Sequence, residues 1–412
     1  MSVSIEQKDA DEVLFTHGPV SPEEPQTQNE ELDKANALEG VFHGMTLPNE
    51  EDVPVGEPGC QHCEVLPMPM RGPGTVLLRF SHTYTLGKVL EFLACSPYPH
   101  REHGGTLSIE VGVGSLAPLL SPILDRLSSP EQRDARAQFQ PAGVLPQLDD
   151  LQHIEALPDF VGRARSDWLL DILRGHKLYS VFQPILRASA PGGGRPDVYG
   201  YECLLRANLE DQVVSPGPML DMARGAGLVF QLDLAARRSA LTGAAAQHIA
   251  EKVFINFSPN AIYNPYTCLD STVRMVDELG FKREQIVFEI IESERLPELA
   301  HLQRIVGYYR ENGFGVALDD LGVGFSSLSL LIALRPDYVK LDKSLIQNVD
   351  TDETKALIAR KLLEVAQELG LSAVAEGIER PEEWDWVQRH GAEFVQGYLF
   401  ARPGSPPPLR AV

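Results

Sequence analysis

The sequence is poor in cysteine and contains no long apolar run. Its five cysteines among 412 residues are an odd number, which argues against a complete disulfide framework. No apolar run is long enough to cross a bilayer, and Met1 to Asp11 contain no apolar stretch of the kind that a secretory signal needs. We therefore expect a cytoplasmic protein with reduced thiols that neither spans nor binds a membrane.

Positive charge is also scarce. The chain has 36 Lys and Arg residues against 58 Asp and Glu residues, a formal net charge of -22, and no basic run that would form a positive patch. A surface of this sign repels nucleic-acid polymers and anionic membranes, so neither is expected as a partner. A small anionic substrate would need metal ions or a few well-placed Lys and Arg side chains. Hydrophobic residues make up 43% of the chain, which is enough to bury a substantial core.

The amino-terminal part of the chain divides into a tail, a small module and a linker. Residues 1–54 are acidic and lack periodic apolar spacing, which predicts a disordered tail. Residues 55–145 predict a small α/β module, and residues 146–165 a linker with a short helix near Leu151–Phe160. The predicted elements of the module are strands at Thr75–Phe80 and Leu107–Val113, a helix at Tyr84–Cys95, and a second helix within Leu116–Phe139 that is broken near Pro122 and Pro130.

From residue 166 onward, strand-like runs alternate with amphipathic helix patterns. The eight strand-like runs are Tyr179–Gln183, Val198–Arg206, Val253–Phe257, Ile286–Ile290, Gly315–Asp319, Tyr338–Asp342, Ser372–Glu376 and Phe394–Gln396. Eight strands with intervening helices over residues 166–408 predict an α/β fold, a (β/α)8 barrel. An open, doubly wound sheet is the alternative, but no glycine-rich phosphate fingerprint follows the first strand to favour it.

A polar or charged residue lies at or near the carboxyl end of each of the eight predicted strands. In chain order these residues are Gln183, Glu202, Asn256, Glu289, Asp319, Lys340, Glu376 and Gln396. In a (β/α)8 barrel the carboxyl ends of the strands share one face, which carries the active site. Asp319 shares its strand parity with Ala317, so both are expected to point into the barrel and Leu318 to point outward. A single acid at a strand end is more often a cap or a solvated charge, but eight polar ends in register favour a common site.

Five acids and one asparagine at one face form a costly concentration of negative charge. These candidate metal ligands are Glu202, Asn256, Glu289, Asp319, Asp320 and Glu376. Without cations the carboxylates would be forced to take up protons. Oxygen ligands suit Mg2+ or Mn2+ rather than zinc, and neighbouring acids can serve two ions about 3.5–4 Å apart, as in two-metal phosphodiester cleavage. Lys340 is expected to hold a nucleophilic water or a phosphate oxygen, and Glu376 to take the proton from that water.

Eight sequence strings carry a resemblance to a known family. They are Phe182-Gln-Pro-Ile185, Gly200-Tyr-Glu-Cys-Leu-Leu-Arg206, Asn256-Phe-Ser-Pro259, Phe288-Glu-Ile-Ile-Glu-Ser293, Leu318-Asp-Asp-Leu-Gly-Val-Gly-Phe-Ser-Ser-Leu328, Asp337-Tyr-Val-Lys-Leu-Asp342, Ala375-Glu-Gly-Ile-Glu379 and Gln396-Gly-Tyr-Leu-Phe-Ala-Arg-Pro403. In this order, they make the segment from Ser166 to Pro406 resemble the bacterial EAL-domain cyclic di-GMP phosphodiesterases. The resemblance implies a barrel of the EAL type, cyclic di-GMP as the ligand, linear pGpG as the product and a homodimer.

The resemblance also implies roles for the matching residues. The implied roles are ligation of a first metal ion for Glu202, Asn256, Glu289 and Asp319; the surroundings of a second ion for Asp319, Asp320 and Glu376; general base for Glu376; positioning of the water for Lys340; and contact with the substrate for Gln183, Arg206 and Gln396. Glu292 matches a glutamate that steadies the loop after the fifth strand. In the family this loop lies near the dimer interface.

Four positions depart from the family pattern. Cys203 replaces the usual Ala of the signature, at an outward position where a buried thiol is expected to be tolerated, and a redox-sensing thiol is the alternative. In the loop after the fifth strand, Leu321 replaces Phe and Val323 replaces Thr, a change that often accompanies weak turnover in this family. Ala207 stands where an aromatic residue is common.

Three functions are open on the sequence alone. An active metal-dependent phosphodiesterase is favoured because every ligand position is intact. A cyclic di-GMP receptor with poor turnover, signalling through its amino-terminal module, is favoured by Leu321 and Val323. A scaffold that binds no nucleotide usually loses acids from the rim, and this chain keeps them. A literal Glu155-Ala-Leu157 lies upstream of the first barrel strand and lacks the trailing Leu-Arg, so it receives no catalytic role.

The amino-terminal module contains a Cys-x-x-Cys pair. The residues that could form a structural zinc site are Cys60, Cys63, Cys95, His100 and His103. Their irregular spacing makes reduced thiols in a loop the favoured interpretation, and a thioredoxin-like redox pair is disfavoured because no strand precedes Cys60. A regulatory role for the module, as a sensor or a dimerisation element, is expected by analogy with multidomain enzymes.

Overall fold

The computed structural model describes residues 65–67, 69–144, 154–189, 196–210, 212–291, 298–322 and 327–409. All of these residues belong to one compact unit that spans residues 59–412. The predicted tail at residues 1–54 lies outside the described residues, as do Cys60, Cys63, Glu292 and Val323. Within the described ranges, no helix combines the length and the apolarity needed to cross a bilayer.

A five-stranded antiparallel sheet with accompanying helices forms the amino-terminal module. Its strands, in the sheet order β2–β3–β1–β4–β5, are β1 (Gly74–Arg79), β2 (His100–His103), β3 (Thr106–Val111), β4 (Arg136–Pro141) and β5 (Glu155–Ala156). The helices are α1 (Thr83–Ala94), α2 (Leu116–Arg126), α3 (Ser129–Asp134) and α4 (Leu157–Arg165). Alternate residues of β1, Val76 and Leu78, share one buried core with Val89 of α1 and Leu119 of α2.

The second helix of this module is shorter than predicted. It was expected within Leu116–Phe139, but the helical part ends at Asp134, and Phe139 lies on β4, where it pairs with Val76. Pro122 lies inside α2 without ending it, which corrects the expected break at this residue. Pro130 occupies the first turn of α3, where the missing N–H of proline costs nothing because that position has no helical acceptor.

The segment predicted as a linker, residues 146–165, contributes to the core of the module. Glu155 and Ala156 form β5 and pair with β4, and α4 then buries Phe160 and Val161 in the same core as the sheet. The helix begins at Leu157 and not near Leu151. A strand of two residues carries no alternating pattern, so the sequence could not indicate that this stretch belongs to the module.

Eight strands close into a barrel, which confirms the predicted fold class. They are β6 (Leu178–Arg187), β7 (Val198–Leu209), β9 (Lys252–Phe257), β10 (Ile286–Ile291), β11 (Gly315–Leu321), β12 (Tyr338–Leu341), β13 (Ser372–Ala375) and β14 (Phe394–Val395), with the short β8 (Gln212–Val214) paired to β7 as a hairpin. Neighbours follow the order β6–β14–β13–β12–β11–β10–β9–β7, and a β6–β7 pairing closes the ring.

Helices connect most of these strands. They are α5 (Asp167–Arg174), α6 (Pro216–Ala226), α7 (Val229–Ala246), α8 (Pro265–Cys268), α9 (Asp270–Glu278), α10 (Leu299–Glu311), α11 (Ser327–Leu334), α12 (Lys343–Ile346), α13 (Glu353–Glu368) and α14 (Pro381–Arg389). Two of these helices show the expected capping residues, one at its amino end and one at its carboxyl end. Asp352 caps α13 by accepting from two backbone N–H groups, and Gly227 follows α6 in the left-handed conformation that favours glycine.

One barrel strand runs against the other seven. β6 is antiparallel to both of its neighbours, β7 and β14, because the connection from Arg187 to Val198 is too short for the crossover that parallel neighbours require. This arrangement corrects the expectation that all eight carboxyl ends share one face. Gln183 still reaches the expected level, since it is the register partner of Glu202 in the β6–β7 pair.

Strand parity divides the side chains of the barrel as predicted. Ala317 and Tyr338 lie in the small core inside the barrel, whereas Cys203 and Leu318 belong to the larger core between the strands and the helices. Lys340 shares its parity with Tyr338 and is buried. The interior therefore has an apolar floor, and polar side chains of the same parity lie above it.

The amino-terminal module packs against the barrel through α4. Gly162 lies so close to α6 that a Cβ atom at this position would overlap the carbonyl oxygen of Gly225. Nearby, Nη2 of Arg71 lies 2.6 Å from a carboxylate oxygen of Asp171, and Nε lies 3.0 Å from Asp167, both in α5. The module is thus fixed to the helices next to β6 and β7.

Candidate active site

A single ammonium group stands at the centre of the barrel mouth, surrounded by carboxylates. The Nζ atom of Lys340 lies 2.8 Å from Oε1 of Glu376, 2.9 Å from Oε1 of Glu289, 3.1 Å from Oδ1 of Asp319 and 3.5 Å from Oε2 of Glu202. The structure thus brings together four of the predicted acids, from four different segments, around the predicted lysine. Both Lys340 and Glu289 are almost fully buried, at 1% and 0% exposure.

Strand register explains how these side chains meet. Asn256 of β9 and Glu289 of β10 are direct partners in a parallel pair. The β11–β12 register shifts between Leu318 and Leu321, which is the mark of a bulge, and Asp320 in this stretch has a positive φ of 56°. A bulge changes the facing of successive side chains. It therefore accounts for two adjacent acids, Asp319 and Asp320, at one rim of the barrel.

Two amide side chains hold Glu202 in place. Nδ2 of Asn256 donates to Oε1 of Glu202 at 3.1 Å, and Nε2 of Gln396 donates to Oε2 at 2.7 Å. The amide oxygens of Asn256 and Gln396 are themselves buried, and among the described residues neither has a hydrogen-bond partner. Buried acceptors without partners are costly, so these atoms fit a site that receives a cation or a substrate donor.

Burial and mutual repulsion control the protonation of the cluster. Burial raises the pKa of Glu289 well above its usual range, and Glu202 and Asp319 raise it further against the opposing effect of Lys340. The pKa of Asp319 is raised for the same reasons. Burial lowers the pKa of Lys340, but the surrounding carboxylates outweigh it and hold that pKa well above its usual range. The lysine therefore stays charged.

The two acids nearest the open side have pKa values close to neutrality. Burial raises the pKa of Glu376 to about 8, with Lys340 acting against it and Asp319 adding to it. Burial and the charge of Asp319 raise the pKa of Asp320 to about 6. A carboxyl group with a pKa near the working pH is suited to accept and release a proton.

The described residues contain two groups of acids that are spaced to hold a metal ion. The first is Glu202, Glu289 and Asp319, and the second is Asp319, Asp320 and Glu376; in each group the ligand atoms lie within 4.8 Å of one another. The donor atoms are all oxygen, as Mg2+, Mn2+ and Ca2+ prefer. Asp319 belongs to both groups, which is how two-metal sites share a bridging carboxylate. The residues present therefore fit a pair of divalent cations.

A cleft of about 400 Å³ opens over this cluster. Besides the predicted Gln183, Glu202, Asp319, Asp320, Lys340, Glu376 and Gln396, it is lined by Asp342, Lys343, Gln347, Gly377, Glu379, Gly397 and Tyr398. Sequence reasoning gave no role to this second group. Asp342 and Tyr398 stand inside the matching strings, two residues beyond Lys340 and Gln396, and that position was the available signal. Tyr398 exposes about half of its side chain, with the guanidinium of Arg402 4.4 Å from its ring centroid.

The remaining predicted site residues lie elsewhere. Arg206 is on β7, four residues beyond Glu202, does not line the cleft, and donates to the carbonyl of Leu205 at 2.7 Å. Cys95 is an exposed free thiol after α1, and His100 and His103 are the first and last residues of β2. Among the described residues, none of the three belongs to a cluster with the spacing of a metal site. Their predicted partners Cys60 and Cys63, and the loop residue Glu292, are outside the described ranges.

Two interpretations of single residues agree with their surroundings. Glu155 of the upstream Glu-Ala-Leu is on β5 and pairs with Arg163 of α4, far along the chain from the cluster. Cys203 is buried and free, and burial raises the pKa of its thiol well above the usual range. A thiol with a raised pKa is a poor nucleophile, which favours a packing role for Cys203 over redox sensing.

An α/β barrel with a carboxylate-rich centre at its mouth is the class that the fold and the site define. The family model of the EAL domain matches residues 166–403, more than half of the chain. The chain therefore belongs to the EAL domain family, as the sequence strings indicated.

Individual relatives agree with this assignment. The probable cyclic di-GMP phosphodiesterase PdeG of Escherichia coli K12 is 34% identical over 194 residues, a match that covers 46% of this chain and 38% of that protein. The chain therefore spans well under half the length of this curated relative. A standalone EAL protein of Vibrio cholerae O395, solved in its c-di-GMP bound form, is 34% identical with a TM-score of 0.50, covering 56% of this chain and 93% of that chain.

A third similarity extends beyond the barrel. BlrP1 of Klebsiella pneumoniae, solved as a manganese and cyclic di-GMP complex, matches 81% of this chain and 96% of that chain with a TM-score of 0.50. Its sequence identity of 21% shows a shared fold and no more. Because the EAL match begins only at residue 166, the larger coverage indicates that the amino-terminal module also has a counterpart in that structure.

Proposed function

We propose that this chain hydrolyses cyclic di-GMP to linear pGpG with the help of two divalent cations, Mg2+ or Mn2+. The observation that carries the proposal is the ring of carboxylates around Lys340, which together with Asp320 forms two acid groups of metal-binding spacing. Family membership supports cyclic di-GMP as the ligand, because a relative of 34% identity was solved with this nucleotide bound.

We assign separate roles in the proposed reaction to the residues of the acid cluster. Glu202, Asn256, Glu289 and Asp319 would hold one cation, and Asp319, Asp320 and Glu376 the other. When bound, the cations neutralise the phosphate and make a bound water more acidic. Glu376 is positioned to accept the proton of the attacking water, because it lines the cleft beside Asp319 and Asp320. Lys340 holds its positive charge at the same place and is available to a water or phosphate oxygen. Water adds to one phosphorus atom as the ester bond to a ribose oxygen breaks, which opens the ring.

Substrate contacts are proposed for the residues that border the cleft. Gln183 lies level with Glu202 and Gln396 has a buried amide oxygen without a partner among the described residues, so both offer hydrogen bonds toward the cleft. Arg206 shares the strand and parity of Glu202, and we retain it as a phosphate contact although it does not line the cleft. We also propose that Glu292 steadies the loop after β11.

A second candidate function is a cyclic di-GMP receptor with little turnover. The observation in its favour is the altered sequence after Asp320, where Leu321 and Val323 replace the family's Phe and Thr. Leu321 is buried on β11 and packs in the outer core, so this position serves packing more than chemistry. We therefore give precedence to the enzyme. We further propose a cytoplasmic homodimer whose amino-terminal module is regulatory and holds reduced thiols, with a zinc ion on Cys60, Cys63, Cys95, His100 and His103 as the alternative.

The deciding experiment follows pGpG by chromatography after incubation of the full chain with cyclic di-GMP and either Mg2+ or Mn2+. Glu376→Gln removes the proposed base while keeping the side-chain shape, and Glu368→Gln, on the exposed side of α13, is the matched control. Removal of one general base is expected to lower kcat by about 10²–10⁴-fold.

Three results are informative. Product formation by the wild type and by Glu368→Gln, with little from Glu376→Gln, supports the enzyme. Nucleotide binding without product in either metal supports the receptor. If the chain neither binds nor hydrolyses cyclic di-GMP, both proposals are wrong and the scaffold hypothesis is favoured.

A further inference from the structure

A buried ion pair lies directly behind the strand that carries Asn256. Arg237 of α7 is fully buried, and its Nε donates to Oδ2 of Asp233, one helical turn earlier, at 2.9 Å. Arg237 also donates through Nη1 to the hydroxyl group of Thr272 on α9. Burying two charges is costly, and an apolar pair of similar volume is often as stable or more stable. The pair therefore requires an explanation other than stability.

The second oxygen of Asp233 connects this pair to the end of β9. Oδ1 accepts a hydrogen bond from the backbone N–H of Ser258 at 2.7 Å. Ser258 is buried, and it lies one residue beyond Phe257, the last residue of β9 that is paired with β10. The following residue, Pro259, has no N–H to donate. Asp233 thus fixes the backbone of Ser258, just beyond the last residue of β9 that is paired with β10.

Asn256, two residues before Ser258, is the neutral member of the proposed ligand set. Its Nδ2 is committed to Glu202, and its buried Oδ1 has no hydrogen-bond partner among the described residues. An amide oxygen carries only a dipole, so its attraction to a cation depends more strongly on distance and direction than that of a full charge. Small movements of the strand end would therefore weaken ligation by Asn256 more than ligation by the acids.

Space for such a movement exists. A cavity of about 280 Å³ lies between α6, α7 and β9, and Asp233, Asn256 and Ser258 contribute to its lining. Its other walls are largely apolar, including Leu220 and Val229. The end of β9 is therefore not confined by packing on this side, and a polar anchor is the device that fixes it.

We propose that Asp233 and Arg237 are positioning residues that fix the end of β9 and so direct the amide oxygen of Asn256 toward the first divalent cation. The inference rests on the proposed function, since it concerns the same metal site. Arg237 neutralises Asp233, which gives the strand end a rigid acceptor without adding net negative charge beside the acid cluster. Loss of such an outer partner typically lowers metal affinity about 10- to 100-fold.

The test compares three forms of the full chain without nucleotide. Asp233→Leu combined with Arg237→Met replaces the buried pair by apolar side chains. Asp270→Leu combined with Arg274→Met applies the same changes to an exposed pair on α9 with the same spacing, whose atoms lie 3.2 Å apart. Mn2+ affinity is measured by electron paramagnetic resonance, and the thermal midpoint of each form is recorded in EDTA.

We expect the buried double variant to remain folded, with a thermal midpoint near that of the wild type. Of the two Mn2+ ions, the one that the wild type binds more tightly should bind to this variant at least about tenfold more weakly. The exposed double variant should bind Mn2+ as the wild type does. Equal affinity in a folded buried variant overturns the positioning role and leaves the proposed function intact. Absence of Mn2+ binding by the wild type overturns both.

A milder change covers the case in which the double variant does not fold. Thr272→Val removes the hydroxyl group that Arg237 contacts while keeping the side-chain volume. Through the same chain of contacts it is expected to weaken Mn2+ binding by about threefold or more. Wild-type affinity in folded Thr272→Val then overturns the inference.

Discussion

Four of the five acids in the cluster lie within 3.5 Å of one ammonium group, that of Lys340. In the absence of a metal ion, this lysine offsets much of the mutual repulsion among the carboxylates. Its pKa is raised by the same groups, which means that its charge and theirs stabilise one another. Lys340 therefore contributes to the stability of the fold as well as to the proposed function.

Replacement of Lys340 by Met is expected to destabilise the metal-free protein by about 3 kcal/mol or more, because it leaves buried carboxylates without their cation. Saturating Mn2+ should recover part of this loss, since the ions take over the neutralisation. Urea unfolding in EDTA and in Mn2+ measures both effects. Lys361→Met, on the exposed face of α13, is the control, and an unchanged free energy of unfolding for Lys340→Met in EDTA would contradict the prediction.

The raised pKa values predict a pH dependence of the metal-free protein. The pKa of Glu376 is about 8 in the folded state against an ordinary value of 4.5, so between these pH values Glu376 holds more protons in the folded state than in the unfolded state. Stability therefore falls as the pH rises through this window. Mn2+ affinity should rise over the same window, because the ion must displace the proton. Urea unfolding in EDTA at several pH values, with Glu376→Gln showing a flatter profile, checks this; a wild-type stability that rises with pH would be inconsistent with it.

Sequence reasoning succeeded for residues whose position follows from strand parity. Lys340, Asp319 and Glu289 come together in the structure, as expected from the strand period of two and from the turn that marks each carboxyl end. Asp233 and Arg237 were missed, since an acid and an arginine four residues apart on a helix usually form an exposed pair. Only their dense apolar surroundings, with Leu232 and Leu241 nearby in sequence, hinted at burial.

At the scale of elements, α4 and α6 approach each other closely at Gly162 and Gly225. A Cβ atom on Gly162 would overlap the carbonyl oxygen of Gly225, and the backbone could accommodate it only if the two helices moved apart. Gly87, in α1, has nothing within 4 Å of the same position. The two helical glycines therefore form a matched pair for experiment.

Gly162→Ala is expected to lower the free energy of unfolding by about 1–3 kcal/mol through overpacking at the helix contact. Gly87→Ala should raise it by about 0.5–1 kcal/mol, because alanine restricts the unfolded chain and suits a helix interior. Chemical denaturation of both variants provides the measurement. A neutral or stabilising Gly162→Ala would show that α4 and α6 are not held at this distance.

The sequence pattern predicted the barrel strands but not the direction of β6 or the shortest strands of the module. The eight barrel strands were found because each contains β-branched or aromatic residues. The direction of β6 was not found, because an alternating pattern is the same in both directions. Its short connection to β7 was the missed signal, because parallel neighbours need a longer crossover. β2 and β5 were missed for a different reason: β2 has the sequence His-Arg-Glu-His and β5 the sequence Glu-Ala, so neither contains an apolar run.

At the scale of the whole molecule, the module and the barrel share contacts that neither makes alone. α4 contributes to the core of the module and touches α6, and Arg71 reaches α5 from the segment before β1. We expect calorimetry to show one thermal transition whose van't Hoff and calorimetric enthalpies agree. Saturating Mn2+ should move that entire transition upward. Two separated transitions in the wild type, only one of which responds to Mn2+, would disprove this coupling.

The reversed direction of β6 also decides at which end of the barrel the preceding chain arrives. Leu178, where β6 begins, is paired with Ala207 near the carboxyl end of β7, so the polypeptide enters at the same rim as the acid cluster. In a barrel whose strands all run in parallel, it would enter at the opposite rim. An upstream module of any kind is thus delivered to the working end without a long connector. A segment that precedes β6 therefore needs only a short connection to reach the rim that carries the acid cluster.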